Sequence, residues 1–179
     1  MFARPEKIIE QFQLGEGMHV ADLGVGSGVY TFAAARDVGK DGVVYACDLQ
    51  KELVQKVHAE ARHAGFSNVH TMWVDLEEER GTTLADASVH AVIVSTILFQ
   101  IEHKERFLKE VFRITRPGGK ILIVDWNDSY GGIGPHAAHI LKRHTAQTLA
   151  ESAGFVFEKD IDAGSHHYGM ILRKPKDAA

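Results

Sequence analysis

The chain has 179 residues, enough for one domain at the usual size of roughly 150 residues. Its 45% hydrophobic and 25% charged content, with 24 acidic against 20 basic side chains and a net charge of −4, excludes a disordered chain and argues against a broad nucleic-acid-binding surface. The single cysteine, Cys47, excludes an internal disulfide framework and a multi-cysteine zinc site.

In chain order, Arg4 to Leu14 places Ile8, Ile9 and Phe12 on one helical face and predicts a short docking helix. Met18 to Leu23 reads as a strand, followed by a glycine cluster and a helix from Gly28 to Asp37. Gly39, Asp41 and Gly42 make a turn, and Val43 to Cys47 is the second strand. Lys51 to Ala64 carries Leu53, Val54, Val57, Ala61 and Ala64 at helical spacing, with Gly65 as its stop. Val69 to Val74 is the third strand, and Asp75 to Ser88 is polar and irregular. The fourth strand, Ala91 to Ser95, opens on an apolar run suited to burial on both faces. Glu102 to Thr115 is a helix that Arg116-Pro117-Gly118-Gly119 stops, and Ile121 to Val124 is the fifth strand. Asn127 to Leu141 reads as a loop, and Thr145 as the N-cap of a helix ending near Ala153-Gly154. Phe155 to Ile161 and Tyr168 to Arg173 have no helix between them and should pair as an antiparallel hairpin.

Five strand–helix alternations and a hairpin predict an α/β fold. It is a doubly wound, Rossmann-like, mostly parallel sheet with a C-terminal antiparallel hairpin and helices on both faces. One domain is expected over residues 1–179, with 1–14 as the docking helix and 15–173 as the core. The longest apolar stretch, Ala91 to Phe99, contains Ser95 and Thr96 and falls short of the roughly 18 residues of a membrane span. Arg4, Glu6 and Lys7 argue against a secretory signal, so the reading is a cytoplasmic protein.

In such sheets ligands bind at the carboxyl ends of the strands, where strand order reverses. The loop after the first strand reads V-A-D-L-G-V-G-S-G-V-Y-T, Val20 to Thr31. Gly24, Gly26 and Gly28 let the backbone turn sharply and approach a ligand. Two ligand classes fit. A dinucleotide-binding loop wants G-x-G-x-x-G, with the pyrophosphate on the helix N-terminus; here Val29 occupies the third-glycine position. Asp22, two residues before Gly24, would repel a pyrophosphate and suits a ligand that carries positive charge.

The sequence D-L-G-V-G-S-G resembles the first motif of class I S-adenosyl-L-methionine-dependent methyltransferases. Further segments are similar to later motifs of that family: V-Y-A-C-D at Val44 to Asp48, V-D-L at Val74 to Leu76, and V-I-V-S-T-I-L-F-Q at Val92 to Gln100. So are L-K-E-V-F-R-I-T-R-P-G-G-K-I-L-I-V-D-W at Leu108 to Trp126 and A-E-S-A-G-F at Ala150 to Phe155. The order of these segments resembles most the quinone- and small-molecule-methylating branch. The resemblance implies methyl transfer from S-adenosyl-L-methionine, leaving S-adenosyl-L-homocysteine, to a small-molecule acceptor by in-line displacement.

The resemblance also implies roles. Asp22 and the three glycines belong to the cofactor loop. Asp48, with its neighbour Leu49, would hold the ribose hydroxyls by charge-assisted bonds; a dinucleotide-binding protein would use the same acid in the same way. Asp75 would accept from the adenine amino group, the Leu76 amide would donate to a ring nitrogen, and Ser95 would contact the methionine part. Methyl transfer needs positioning and exclusion of water more than acid–base help. His136, His139 and, on the other side, His103 are weak acceptor-side base candidates, and no metal site is expected.

The Ser95-Thr96-Ile97-Leu98 sequence lacks the proline motif of amino-methylating DNA enzymes and the acid of metal-dependent catechol enzymes. One cysteine, in the second strand, fits neither cytosine C5 nor arsenite methylation. A small neutral or apolar acceptor follows, with Phe99, Trp126 and Tyr130 as possible pocket walls. Only Met1 to Leu14 precede the first motif, so the acceptor site is expected to be open, completed by a second subunit, or suited to a larger partner such as a protein. A nicotinamide-dependent oxidoreductase and a non-catalytic cofactor-binding module acting through a partner are the competing readings.

Overall fold

The computed structural model describes residues 4–129 and 134–177. The elements follow the predicted order: helix α1 Pro5–Phe12, strand β1 His19–Leu23, α2 Val29–Val38, β2 Val43–Asp48, α3 Lys51–His63, β3 Val69–Trp73 and β4 Val89–Ser95. Then come α4 Lys104–Ile114, β5 Thr115–Trp126, α5 Arg143–Ser152, β6 Val156–Ile161 and β7 His167–Arg173. The sheet runs β3-β2-β1-β4-β5-β7-β6. The first five of these strands are parallel, and β7 is antiparallel to both β5 and β6.

Alternation along each strand divides the core into two layers. Val20, Val44, Ala91, Ile93, Leu122 and Val124 pack with α1 and α2, while Ala46 meets Val57 of α3 on that same face. Ala21, Leu23, Val92, Val94, Ile121 and Ile123 pack with α4 and α5 on the other. The amphipathic period of α4 buries Phe107, Leu108, Val111 and Ile114. At about 1.5–3 kcal/mol for each large side chain, such stripes hold the helices to the sheet.

The docking helix forms as expected: Ile8, Ile9 and Phe12 are buried. Its C-terminus is held by a residue the sequence did not single out. The ammonium of buried Lys120 donates to the carbonyls of Phe12 and Gln13 and lies over the Phe12 ring. Gln11 adds a two-way bridge to Asp162, accepting from its amide and donating to its carbonyl, both at 2.9 Å.

Three expectations are corrected. The chain alternates strand and helix four times, since the 74–88 segment between β3 and β4 contains no helix. The Arg116-Pro117-Gly118-Gly119 sequence stops α4 but does not stand apart from the sheet. β5 begins at Thr115, and the four residues sit in a bulge between the Val89↔Thr115 and Ala91↔Lys120 pairs. A Cβ on Gly119 would lie within 3 Å of the Arg116 and His90 carbonyl oxygens. Finally, Thr145 lies inside α5, whose N-cap is Lys142, because the Ala146 amide already reaches the Lys142 carbonyl.

Among the described residues no helix is long and apolar enough to cross a membrane. Strand order reverses at β1, which has β2 on one side and β4 on the other, so the loops leaving these strands meet.

Candidate functional site

Those loops enclose a cleft of about 380 Å³, within the range that holds a small molecule. The loop after β1 forms its floor. The amides of Gly24 and Val25 donate to the Cys47 carbonyl, which ties the loop to the end of β2. Gly24 has a φ of +80°, and a Cβ there would lie 2.4 Å from Ile97 Cδ1. Gly26 has a φ of +52° with open space around it. Gly28, the N-cap of α2, packs against Phe32 and Val57 and does not line the cleft. Gly24→Ala is therefore expected to cost roughly 2–4 kcal/mol of stability, from a left-handed backbone and a clash. Gly26→Ala should cost only roughly 1–2 kcal/mol. Urea unfolding separates the two; equal costs would contradict the Ile97 contact.

At the end of β2, the Asp48 carboxylate accepts from the Gly26 amide at 3.2 Å and the Gln50 amide at 2.9 Å, one on each oxygen. A carboxylate has about four acceptor positions, so two remain for a ligand. Leu49 beside it is exposed, and its carbonyl is fixed by the Trp73 indole N–H at 2.8 Å. After β3, Asp75 accepts from the Glu77 amide at 2.9 Å on one oxygen, and the Leu76 side chain turns into the core. After β4, Ser95 lines the cleft with a buried Oγ that finds no hydrogen-bond partner among the described residues. Burial pushes the neighbouring Tyr30 hydroxyl up to about 12, an effect partly offset by a loose approach of Ser95 that falls short of a well-formed hydrogen bond. Thr96, next in the wall, is held at φ +51°, unusual for a β-branched residue.

Gly24, Gly26, Asp48, Leu49, Asp75, Leu76 and Ser95 thus come together in one cleft. Asp22 does not join them. Its carboxylate is buried on β1 and accepts a 2.5 Å hydrogen bond from Thr31 of α2. Burial pushes its pKa up to about 6, against the Thr31 bond and with a further push from Asp48. Because the folded value exceeds the unfolded one, the folded state binds the extra proton between about pH 4 and 6. The stability this group contributes is present below that window and lost as pH rises through it. From pH 4 to pH 7, Asp22→Asn is expected to gain roughly 2–3 kcal/mol relative to the original protein. Urea unfolding at the two pH values tests this, and parallel losses in both proteins would contradict it.

The histidine candidates lie outside the cleft lining. His103 is the exposed N-cap of α4, and His136 and His139 are exposed around a short 3₁₀ turn, with ring centres 6.0 Å apart. Phe99 and Trp126 are half-buried and do not line the cleft either. Phe99 is fixed by its amide donating to Asp125, and Trp126 packs on the His167 ring at 4.2 Å. Tyr130 lies outside the described residues.

Sequence reasoning missed Glu77 and the apolar walls Leu53, Ile97 and Ile101. Among the described residues the lining is therefore an apolar slot with three carboxylates, Asp48, Asp75 and Glu77, and no Lys or Arg. Such a slot accepts a flat ring, hydroxyl and amino donors and positive charge, and it opposes a pyrophosphate.

A model described as a methyltransferase domain matches residues 14–173. An arsenite methyltransferase of Halobacterium salinarum is 33% identical over 112 residues, covering 63% of this chain and 28% of that protein. A ubiquinone/menaquinone biosynthesis C-methyltransferase of Blochmanniella floridana is 29% identical over 121 residues, covering 67% of this chain and 46% of that protein. The chain thus spans less than half the length of these two relatives. Among solved structures, a SAM-dependent methyltransferase from Aquifex aeolicus superposes with a TM-score of 0.87 at 27% identity, covering 96% of this chain and 90% of that one.

Proposed function

The chain belongs to the methyltransferase-domain family matched over residues 14–173, and from this premise we propose that it moves a methyl group from S-adenosyl-L-methionine to a small-molecule acceptor. The observation that carries the reading is the glycine-floored cleft with three carboxylates and no cationic side chain among the described residues. The buried Ser95 Oγ supports it too, since no well-formed hydrogen bond among the described residues satisfies it and a ligand can.

When bound, the cofactor supplies a methyl group activated by a sulfonium. The chain's residues hold it. Asp48, already oriented by two amides, accepts from the ribose hydroxyls with its free positions. Asp75 accepts from the adenine amino group, and the Leu76 amide donates to the ring. Ser95 takes a polar group of the amino-acid end. The apolar walls exclude water, which in-line transfer needs more than it needs a base.

The acceptor is small and uncharged or weakly charged in this reading. The net charge of −4 gives no general attraction for nucleic acid. Cys47 is buried, with its thiol pushed up to about 12 by burial and the nearby Asp22 and Asp48. It is therefore unsuited to act as a thiolate toward arsenite. In this reading the acceptor approaches from the Ser95 end, and a second copy of the chain completes the site.

Calorimetry with S-adenosyl-L-homocysteine and with NAD tests the proposal. Heat with the first and none with the second is expected; the reverse would point to an oxidoreductase. Methyl transfer from labelled cofactor to any member of a phenol, quinol and amine panel separates an enzyme from a binding module.

A further inference from the structure

The 74–88 segment that stands in place of a crossover helix is strained. Three of the five non-glycine described residues with left-handed backbone, Arg80 (φ +53°), Thr83 (φ +55°) and Ala87 (φ +51°), lie in it. A Cβ on Gly81 would sit 1.9 Å from the Asp75 carbonyl oxygen. Such backbone persists only where its surroundings over-determine it. Here α4 does so from both ends. At the far end Glu110 and Arg113 bind Thr82, Leu84 and Asp86. At the near end the Glu77 carboxylate accepts from the amides of Glu102 at 3.0 Å and His103 at 2.9 Å, where α4 begins without a side-chain cap of its own.

Glu77 is also part of the cleft wall, next to Asp75 and Leu76, and the amides it holds follow directly on Gln100 and Ile101 of the opposite wall. One oxygen, Glu77 Oε2, therefore joins the two sides of the slot. We propose that Glu77 is a positioning residue that latches the loop after β3 to the head of α4 and so sets the affinity of the cleft for a nucleoside. The inference rests on the cofactor reading of the cleft. It adds that the width of the slot is fixed by a carboxylate that need not touch the reacting atoms.

The test compares the unmodified protein with Glu77→Ala and Glu77→Gln by three measurements. These are amide hydrogen exchange at Glu102 and His103 in the free protein, calorimetric affinity for S-adenosyl-L-homocysteine at 20 °C, and melting temperature. For Glu77→Ala, exchange at both amides should quicken and Kd should rise about tenfold, the effect of losing charge-assisted hydrogen bonds. Glu77→Gln keeps a carbonyl acceptor and should recover most of both. Glu77 is only half-buried, so both variants should fold. Unchanged exchange overturns the latch whatever happens to binding. Faster exchange and a lower melting temperature with unchanged Kd make Glu77 merely structural and overturn its positioning role. Failure of the unmodified protein to bind overturns the cofactor reading and the role in affinity together, while the exchange rates still decide the latch.

Discussion

Asp48→Ala is expected to weaken S-adenosyl-L-homocysteine binding by roughly 100-fold or more, the largest single effect in the cleft. The side chain arrives at the ligand already ordered. Its oxygens are each fixed by one backbone amide, from Gly26 and from Gln50, so little rotamer entropy is left to lose on binding. Two vicinal hydroxyls donating to its remaining positions would form charge-assisted bonds worth about 1.5–3 kcal/mol each. Truncation removes both and loosens the glycine loop that Asp48 holds. Asp48→Asn keeps one good acceptor and should lose less, about tenfold. The pair is read by calorimetry, with melting temperatures confirming that both variants fold. If Asp48→Ala binds within about threefold of the original protein, Asp48 does not hold the ligand.

The cleft was partly legible in the sequence because its polar parts come from strand ends. Gly24, Gly26, Asp48, Asp75 and Ser95 each follow or close an apolar run, and parallel strands bring such ends to one edge. Face was harder to read than position. Asp22 lies one residue before the end of β1, but strand alternation puts its carboxylate on the α1–α2 side, against Thr31. A charge argument made from the loop alone therefore assigned it to the ligand. Glu77 stands at the head of Glu77-Glu78-Glu79, which looks like a solvated acidic run. Its partners are amides 25 and 26 residues away, a distance no local pattern spans. The Pro-Gly-Gly turn shows another limit. The residues correctly ended α4, yet whether the chain leaves the sheet or bulges within it depends on β4, whose register absorbs the four residues. Lys120 gave no signal for the same reason, since the carbonyls it holds belong to α1, more than a hundred residues earlier.

Stability should be most sensitive, among polar substitutions, at Glu110. Its carboxylate is nearly fully buried on α4. It accepts from Thr82 Oγ1 at 2.5 Å and from Arg113 on both oxygens, at 2.7 Å each. Arg113 in turn donates to the Leu84 carbonyl at 2.8 Å and pairs with Asp86 at 2.5 Å. Glu110→Ala leaves a mostly buried guanidinium with the Leu84 carbonyl and the exposed Asp86 as its main remaining partners, and it strips Thr82 of its acceptor. Breaking a buried pair from one side costs about 3–5 kcal/mol, a large share of the roughly 5–15 kcal/mol that holds a domain together. Asp86→Ala, by contrast, removes an exposed partner and should move the unfolding midpoint far less. The double variant Glu110→Met, Arg113→Met removes both charges and should recover much of the loss, because the penalty lies in the unpaired ion more than in the missing attraction. Urea unfolding of the four proteins gives the comparison. A small cost for Glu110→Ala would mean that water reaches Arg113 when its partner is gone. A double variant as unstable as the single one would instead place the cost in Thr82 and the strained segment it anchors, which would make α4 the template on which the β3 side of the cleft is built.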